Sequence, residues 1–328
     1  MRRPSIRPVV WRPPPASPRA RARSGAEPLP PLRLIEVGGT GPEDVVVDHD
    51  GWVVTGVADG RLLRIDPRTG LVEPLGSTGG RPLGVELLPD GRLLVCDARR
   101  GLLAVAPATG TVEVLVTPLS FCNNAAVARD GTVFFSDTSR RFGIDHWRAD
   151  LLEHSGTGRL LRRDPGGSVD VVLDGLQFAN GVALSADEEF VVVAETGAYR
   201  LRRVWLHGDR AGRDDLLVDN LPGFPDNLST GADGLIWVAL ASPRDLRLDL
   251  LHPRHPVLRR MLWAVPQRLV PEQRTVWVMA VDADGVVVHD VQGGHPGYHM
   301  VTGVREHAGR LYLGSLVEPA IAVVDLRA

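Results

Sequence analysis

From about residue 35 a short unit recurs along this chain. It reads as a polar or conformationally special residue, five or six residues of alternating apolar character, a tight turn, and a second apolar run. The turn is usually Asp-Gly, with its glycine at Gly51, Gly91, Gly131, Gly234 and Gly309 (here Ala308-Gly309); Glu188 holds the equivalent place in Asp187-Glu188. Alternating runs around such turns are hairpins, and no sustained helical period competes with them before residue 241. In several units a further pair of short runs follows, as at 61–65 with 72–74 and at 102–106 with 111–115. Six units of four strands predict an all-β fold, a six-bladed β-propeller with four-stranded blades. Radial closure then removes the exposed edges that a linear array would leave. The run 32–37 precedes the first unit, and the last unit stops after 321–325. The N-terminal strand is therefore expected to close the ring.

The repeat also locates a candidate site. Eight residues before each turn position, where the first strand of each blade begins, stand Glu43, Leu83, Asn123, Asn180, Asp226 and Val301. Innermost strands of a propeller begin around one mouth of the central channel, so four of these six positions bring oxygen-bearing side chains toward one axis. Asn and Asp are common turn formers at any single strand start; their convergence is the informative part. Two carboxylates and two amides form a hard-oxygen set that suits Ca²⁺ better than zinc, and one calcium on the propeller axis is expected.

Composition narrows the rest. The net charge is −3, which gives no global field for nucleic acid. No apolar run is long enough to cross a bilayer as a helix. The two cysteines, Cys96 and Cys122, make no disulfide framework and predict a reducing, cytoplasmic setting. Residues 1–30 hold seven arginines and eight prolines against one glutamate, and this leader is expected to be disordered. The propeller should then occupy 31–328.

Two long insertions follow second strands, at 139–156 and 242–274, which places both on the mouth side. The second carries Leu246, Leu250, Leu258, Met261 and Trp263 at spacings that fit short amphipathic helices. Loops of this length are commonly lids, so Leu250, Leu258, Met261 and Trp263 are expected to form an apolar substrate lid; a helix resting on a membrane or a partner is the competing reading. The implied partner is a small molecule, with peripheral membrane contact allowed and the oligomeric state open.

Several motifs resemble the strictosidine synthase-like propellers of the adipocyte plasma membrane-associated protein group: Gly41-Pro42-Glu43-Asp44, Phe178-Ala179-Asn180-Gly181-Val182 and Pro222-Gly223-Phe224-Pro225-Asp226-Asn227. Gly158-Arg159-Leu160-Leu161, Ala194-Glu195-Thr196 and Leu311-Tyr312-Leu313-Gly314-Ser315 extend the similarity over about 35–326. The chain is more distantly similar to the paraoxonase, gluconolactonase and diisopropyl fluorophosphatase propellers. The resemblance implies calcium held by Glu43, Asn123, Asn180, Asp226 and Asn227, with Asp44 and Asn124 behind them. It also implies hydrolysis of small esters or lactones, arylesterase- or lactonase-like, with the metal polarising the substrate oxygen. Two departures stand out: Asn123-Asn124 replaces an Asn-Asp pair, and Thr302 occupies the place of the glutamate used by plant strictosidine synthases.

The general base is the least determined part of this reading. Asp226 or Glu43 could activate water from the metal, and His299, two residues before the sixth strand start, is the histidine candidate; His146 and His154 lie in the first insertion. Two alternatives stay open beside the hydrolase: a non-hydrolytic strictosidine synthase-like enzyme of specialised metabolism, and a non-enzymatic scaffold with structural calcium.

Overall fold

The computed structural model describes residues 3–22, 27–266 and 273–326. Six sheets follow one another around an axis, each starting with an inner strand: Val45–Val47, Pro82–Leu87, Cys122–Val127, Ala179–Leu184, Gly223–Thr230 and Val301–His307. Each inner strand neighbours the next, and the sixth returns to the first, so the ring is closed. The protein is a six-bladed β-propeller with antiparallel blades.

Blade composition follows depth. The second strand of the fourth blade, Phe190–Glu195, is buried along its whole length because neighbouring blades cover both of its faces. The outermost strand of the third blade, Val169–Leu176, is mostly exposed. Arg33–Glu36 pairs antiparallel with Ala320–Asp325 and supplies the outer strand of the sixth blade, so an N-terminal strand closes the ring as expected. A second addition was not anticipated: Glu27–Pro28 pairs parallel with Val287–Gly293 and gives the fifth blade a fifth strand.

Among the described residues four short α-helices complete the fold: α1 (Pro18–Arg21), α2 (Trp147–Glu153), α3 (Leu246–Leu251) and α4 (Val257–Ala264). Helix α2 lies in the first insertion, with α3 and α4 in the second, whose residues 267–272 lie outside the described residues.

The leader differs from the disordered segment expected. Residues 1–2 and 23–26 lie outside the described residues, but 3–22 run along the two insertions and the fifth blade. Ile6 and Ala20 are buried. Trp11 stacks on His154 at 4.1 Å and meets His252 edge-on at 5.1 Å. Buried or part-buried arginines hold the chain by its carbonyls, Arg259 at Val9 (2.5 Å) and Arg244 at Pro14 (2.8 Å). Arg19 pairs with Asp290 and lies over the Trp277 ring. A few anchors and arginine-to-carbonyl bonds thus order a segment whose composition could not build a core of its own.

Candidate functional site at the channel mouth

The residues that begin the inner strands are set apart by their register. Pairing to the second strand skips between Cys122 and Ala125, between Ala179 and Val182, and between Pro225 and Leu228. Asn123-Asn124, Asn180-Gly181 and Asp226-Asn227 therefore occupy β-bulges, which release side chains from ordinary strand alternation. Gly181 lets the fourth and fifth inner strands come together, since a Cβ there would sit 2.3 Å from Leu228 N and 2.4 Å from Asp226 O. Gly41 turns the chain into the first inner strand with φ of +65°.

The amide side chains released in this way are each tied by their nitrogen to a neighbouring group. Asn227 donates to Glu43 Oε2 at 3.1 Å. Asn123 donates to Thr138 Oγ1 at 2.9 Å and Asn180 to Thr196 Oγ1 at 3.1 Å. Thr196 passes its own proton to Pro225 O at 2.6 Å. In each amide the nitrogen is engaged by the protein, yet the buried Oδ1 atoms of Asn123, Asn180 and Asn227 accept no hydrogen bond. A buried carbonyl left without a partner is costly, and all three lie in the bulges of inner strands in three successive blades.

The carboxylates carry the same signature. Burial and the neighbouring Asp226 and Asp44 carboxyls push Glu43 well above the usual carboxylate range, although Arg81 and the Asn227 amide act in the opposite direction. Burial raises Asp226 to about 7, against a hydrogen bond from Asn180. In both cases the folded protein surrounds a negative charge without neutralising it. Among the described residues no group of three or more His, Cys, Asp or Glu could hold a metal; the set here is instead two carboxylates and three amides. Such all-oxygen donors fit calcium.

Asp44 and Asn124, expected behind these ligands, are engaged within the protein. Asp44 accepts from Val45 N (2.9 Å), Val85 N (3.2 Å) and Asn124 Nδ2 (3.1 Å). Asn124 Oδ1 accepts Val182 N at 2.8 Å. The Asn124 amide therefore suits its place, because an aspartate would set a second carboxylate against Asp44. Burial raises Asp44 to about 7, opposed by the Arg305 guanidinium. Thr302 donates to the Glu43 carbonyl at 2.8 Å and fixes the backbone there.

Of the candidate histidines, His299 is buried and hydrogen-bonded to Glu318 through Nδ1. Burial drives His154 down to about 2, keeping it neutral beneath Trp11. Cys122 is a buried thiol raised by burial and by its neighbour Cys96, which makes it a poor nucleophile.

The lid expectation needs correction. Leu250, Leu258 and Met261 are 58%, 39% and 64% exposed and face solvent, not an enclosed wall. Helix α4 turns Arg259 inward against the Leu152 carbonyl and His252, with Leu262 and Trp263 packed partly on the core. Trp263 is only half-buried and donates to the Pro4 carbonyl at 2.9 Å.

Two elements were missed from the sequence. Thr138 and Thr196, which fix the rotamers of Asn123 and Asn180, each follow a strand-ending acid, Asp137 or Glu195. These acids in turn accept the N–H of Phe121 (2.9 Å) and of Gln177 (2.8 Å). The repeated acid-Thr dipeptide was the available signal.

Comparison with known proteins agrees with this fold. The strictosidine synthase sequence profile matches residues 123–209, and the N-terminal profile of strictosidine synthase-like proteins matches 29–65. The adipocyte plasma membrane-associated protein of Rattus norvegicus is 36% identical, across 90% of this chain and 86% of its own length. A strictosidine synthase-like protein of Arabidopsis thaliana is 32% identical over 91% and 89%. Among solved structures, a gluconolactonase from Xanthomonas campestris superimposes with a TM-score of 0.66 at 19% identity, covering 98% of each chain. Regucalcin, a calcium-binding protein from Agrobacterium tumefaciens, gives 0.64 at 16% over 90% and 94%. At those identities the likeness is one of fold. The cytoplasmic setting predicted from Cys96 and Cys122 is overturned by relatives whose name places them at the plasma membrane. Among the described residues, no helix is long and apolar enough to cross a membrane.

Proposed function

Because the chain belongs to the strictosidine synthase-like family that includes the adipocyte plasma membrane-associated proteins, we propose that it is a calcium-dependent hydrolase of small esters or lactones. The observation that carries this reading is the trio of unpartnered amide oxygens of Asn123, Asn180 and Asn227 beside Glu43 and Asp226. These five residues would hold the ion, and Asp44, Asn124, Thr138, Thr196 and Thr302 would keep them oriented. Five oxygens fill only part of a shell that takes six to eight. Bound calcium supplies Lewis acidity toward a substrate carbonyl oxygen and the charge that stabilises it as it becomes anionic.

The chain's own groups supply the remainder. Asp226, the more open of the two carboxylates at the mouth, is positioned to take a proton from the attacking water as its oxygen bonds to the acyl carbon. The same proton then goes to the alkoxide that departs when the carbon–oxygen bond breaks, so atoms and charge balance. His299 is tethered to Glu318 and on this reading serves the rim; His299→Gln should keep most of the turnover. The gluconolactonase likeness supports a lactone substrate and the likeness to calcium-binding regucalcin supports the ion, each as a likeness of architecture alone.

The test is calorimetric titration of chelated protein with calcium, followed by turnover of aliphatic lactones and aryl acetates with and without the metal. Calcium binding near one per chain with calcium-dependent turnover is expected. Calcium binding that leaves every ester and lactone untouched would make the ion structural and the chain a scaffold. No calcium binding would remove the proposal altogether.

A further inference from the structure

Helix α4 shows apolar side chains on two faces. Arg259 is fully buried with Leu262 and Trp263 packed partly on the core beside it, whereas Leu258 and Met261, one turn apart, face solvent. Helix α3 likewise exposes Leu246 and Leu250 while burying Leu248. A helix packed on a soluble domain normally turns its apolar stripe toward the core. The leader extends the same surface. Val9 and Val10 are each at least half exposed, and Val9 is fixed there by its carbonyl on Arg259 and its N–H on the Glu153 carbonyl (2.8 Å). Pro4 is tied to Trp263.

The charges around this apolar face have one sign. Arg3, Arg7, Arg12, Arg247, Arg254 and Arg260 are all exposed. Residues 3–22 contain no acid, and 245–266 contain only Asp245 and Asp249. Both are engaged: Asp245 caps α3 through Arg247 N and Leu248 N, and Asp249 binds Arg244 and the Tyr199 hydroxyl. A chain of net charge −3 thus concentrates cations around its exposed apolar helices. That complementarity distinguishes an anionic lipid surface from a neutral protein groove as the occupant.

We propose that α3, α4 and residues 3–12 form a docking face for a bilayer containing anionic phospholipid, lying in the headgroup region with the channel mouth on the same side. The second strand of the fifth blade leads into this insertion from Pro243, which pairs with Gly223 just before Asp226, so docking would bring the mouth to the lipid. The inference stands whether or not the mouth is hydrolytic.

The experiment is cosedimentation of the full chain with vesicles of phosphatidylcholine alone or mixed with phosphatidylserine. Binding is expected only when phosphatidylserine is present, and it should weaken as salt is raised. Arg254→Glu and Arg260→Glu should each reduce it by fivefold or more, taking about fivefold as the contribution of one basic residue near such a surface. The double variant Leu250→Glu/Met261→Glu should abolish binding. All four side chains are exposed, so melting curves should stay at the unmodified value and rule out misfolding as the cause. Absence of binding to phosphatidylserine vesicles would overturn the proposal, as would undiminished binding by the correctly folded double variant. A concentration-dependent dimer removed by the same variants would also overturn it, in favour of a second copy of the chain.

Discussion

Asn123 and Asn124 are consecutive residues of one type in one β-bulge, and they meet opposite fates. Asn124 uses both ends of its amide, donating to Asp44 and accepting from Val182 N. Asn123 donates to Thr138 and leaves its oxygen without a partner. The same division separates two levels of the channel. At the deeper level Asp44 and Asn124 bind each other and the backbone of neighbouring blades; at the mouth Asn123, Asn180 and Asn227 present oxygens that the protein does not satisfy, with Glu43 and Asp226 among them. A buried polar layer that is complete holds blades together, and one left incomplete on one side is shaped for a ligand.

The contrast breaks most readily at the deeper level. Asp44→Ala removes the acceptor of Val45 N, Val85 N and Asn124 Nδ2 together, while Arg305 keeps its ion pair with Glu86. Stranded buried partners of this kind cost about 3 to 5 kcal/mol in total. Urea unfolding should show that loss with or without calcium. A small loss, or one that calcium repairs, would mean that the deeper level belongs to the metal site.

A pH experiment probes the mouth without mutation. Glu43 and Asp226, with Asp44 below them, are raised by burial, Asp226 and Asp44 to about 7. Each carboxyl therefore binds its proton more tightly folded than unfolded. The folded state holds the extra protons between about pH 4 and 7, and the stability of chelated protein falls as pH rises through that window. Asp226 opens on solvent at the mouth, which moderates its share, and buried Asp44 alone corresponds to roughly 4 kcal/mol across the window. Calcium neutralises the ionised carboxylates and should flatten the slope. Thermal melts at pH 5 and pH 8, with calcium or chelator, give four values; equal slopes in both conditions would contradict the assignment of these carboxyls to the ion.

Much of this was legible in the sequence, for definable reasons. Asp-Gly turns fix hairpins locally, so the repeat, the six blades and the inner-strand starts eight residues upstream could be counted. The bulges could not, because register is a relation between two strands. Thr138 and Thr196 stayed hidden because each acts across a blade on an Asn fifteen or sixteen residues earlier. The leader misled because composition reports the absence of a core, whereas Trp11 and Ile6 borrow one from the insertions. For α4, periodicity displayed apolar positions but not their direction, and only the exposure of Leu258 and Met261 shows that part of them faces out.

The smallest expected effect on the fold is the most discriminating. Asn123→Ala deletes one hydrogen bond, Nδ2 to Thr138 Oγ1, and also deletes an oxygen that the protein leaves unsatisfied. In chelated protein these oppose each other, so the loss should stay within about 1 kcal/mol. Calcium adds RT ln(1 + [L]/Kd) to the stability of the unmodified protein, about 2.7 kcal/mol at a hundredfold excess over Kd. A variant short of one ligand should lose most of that increment. Asn124→Ala, one residue away, should show the inverse: a clear loss in chelator, because Asp44 and Val182 N lose their partner, and a calcium increment largely kept. Melting both variants with and without chelator yields two differences whose ranking should reverse between the conditions. If Asn123→Ala retains the full calcium increment, its unpartnered oxygen is not a ligand and the mouth requires another occupant.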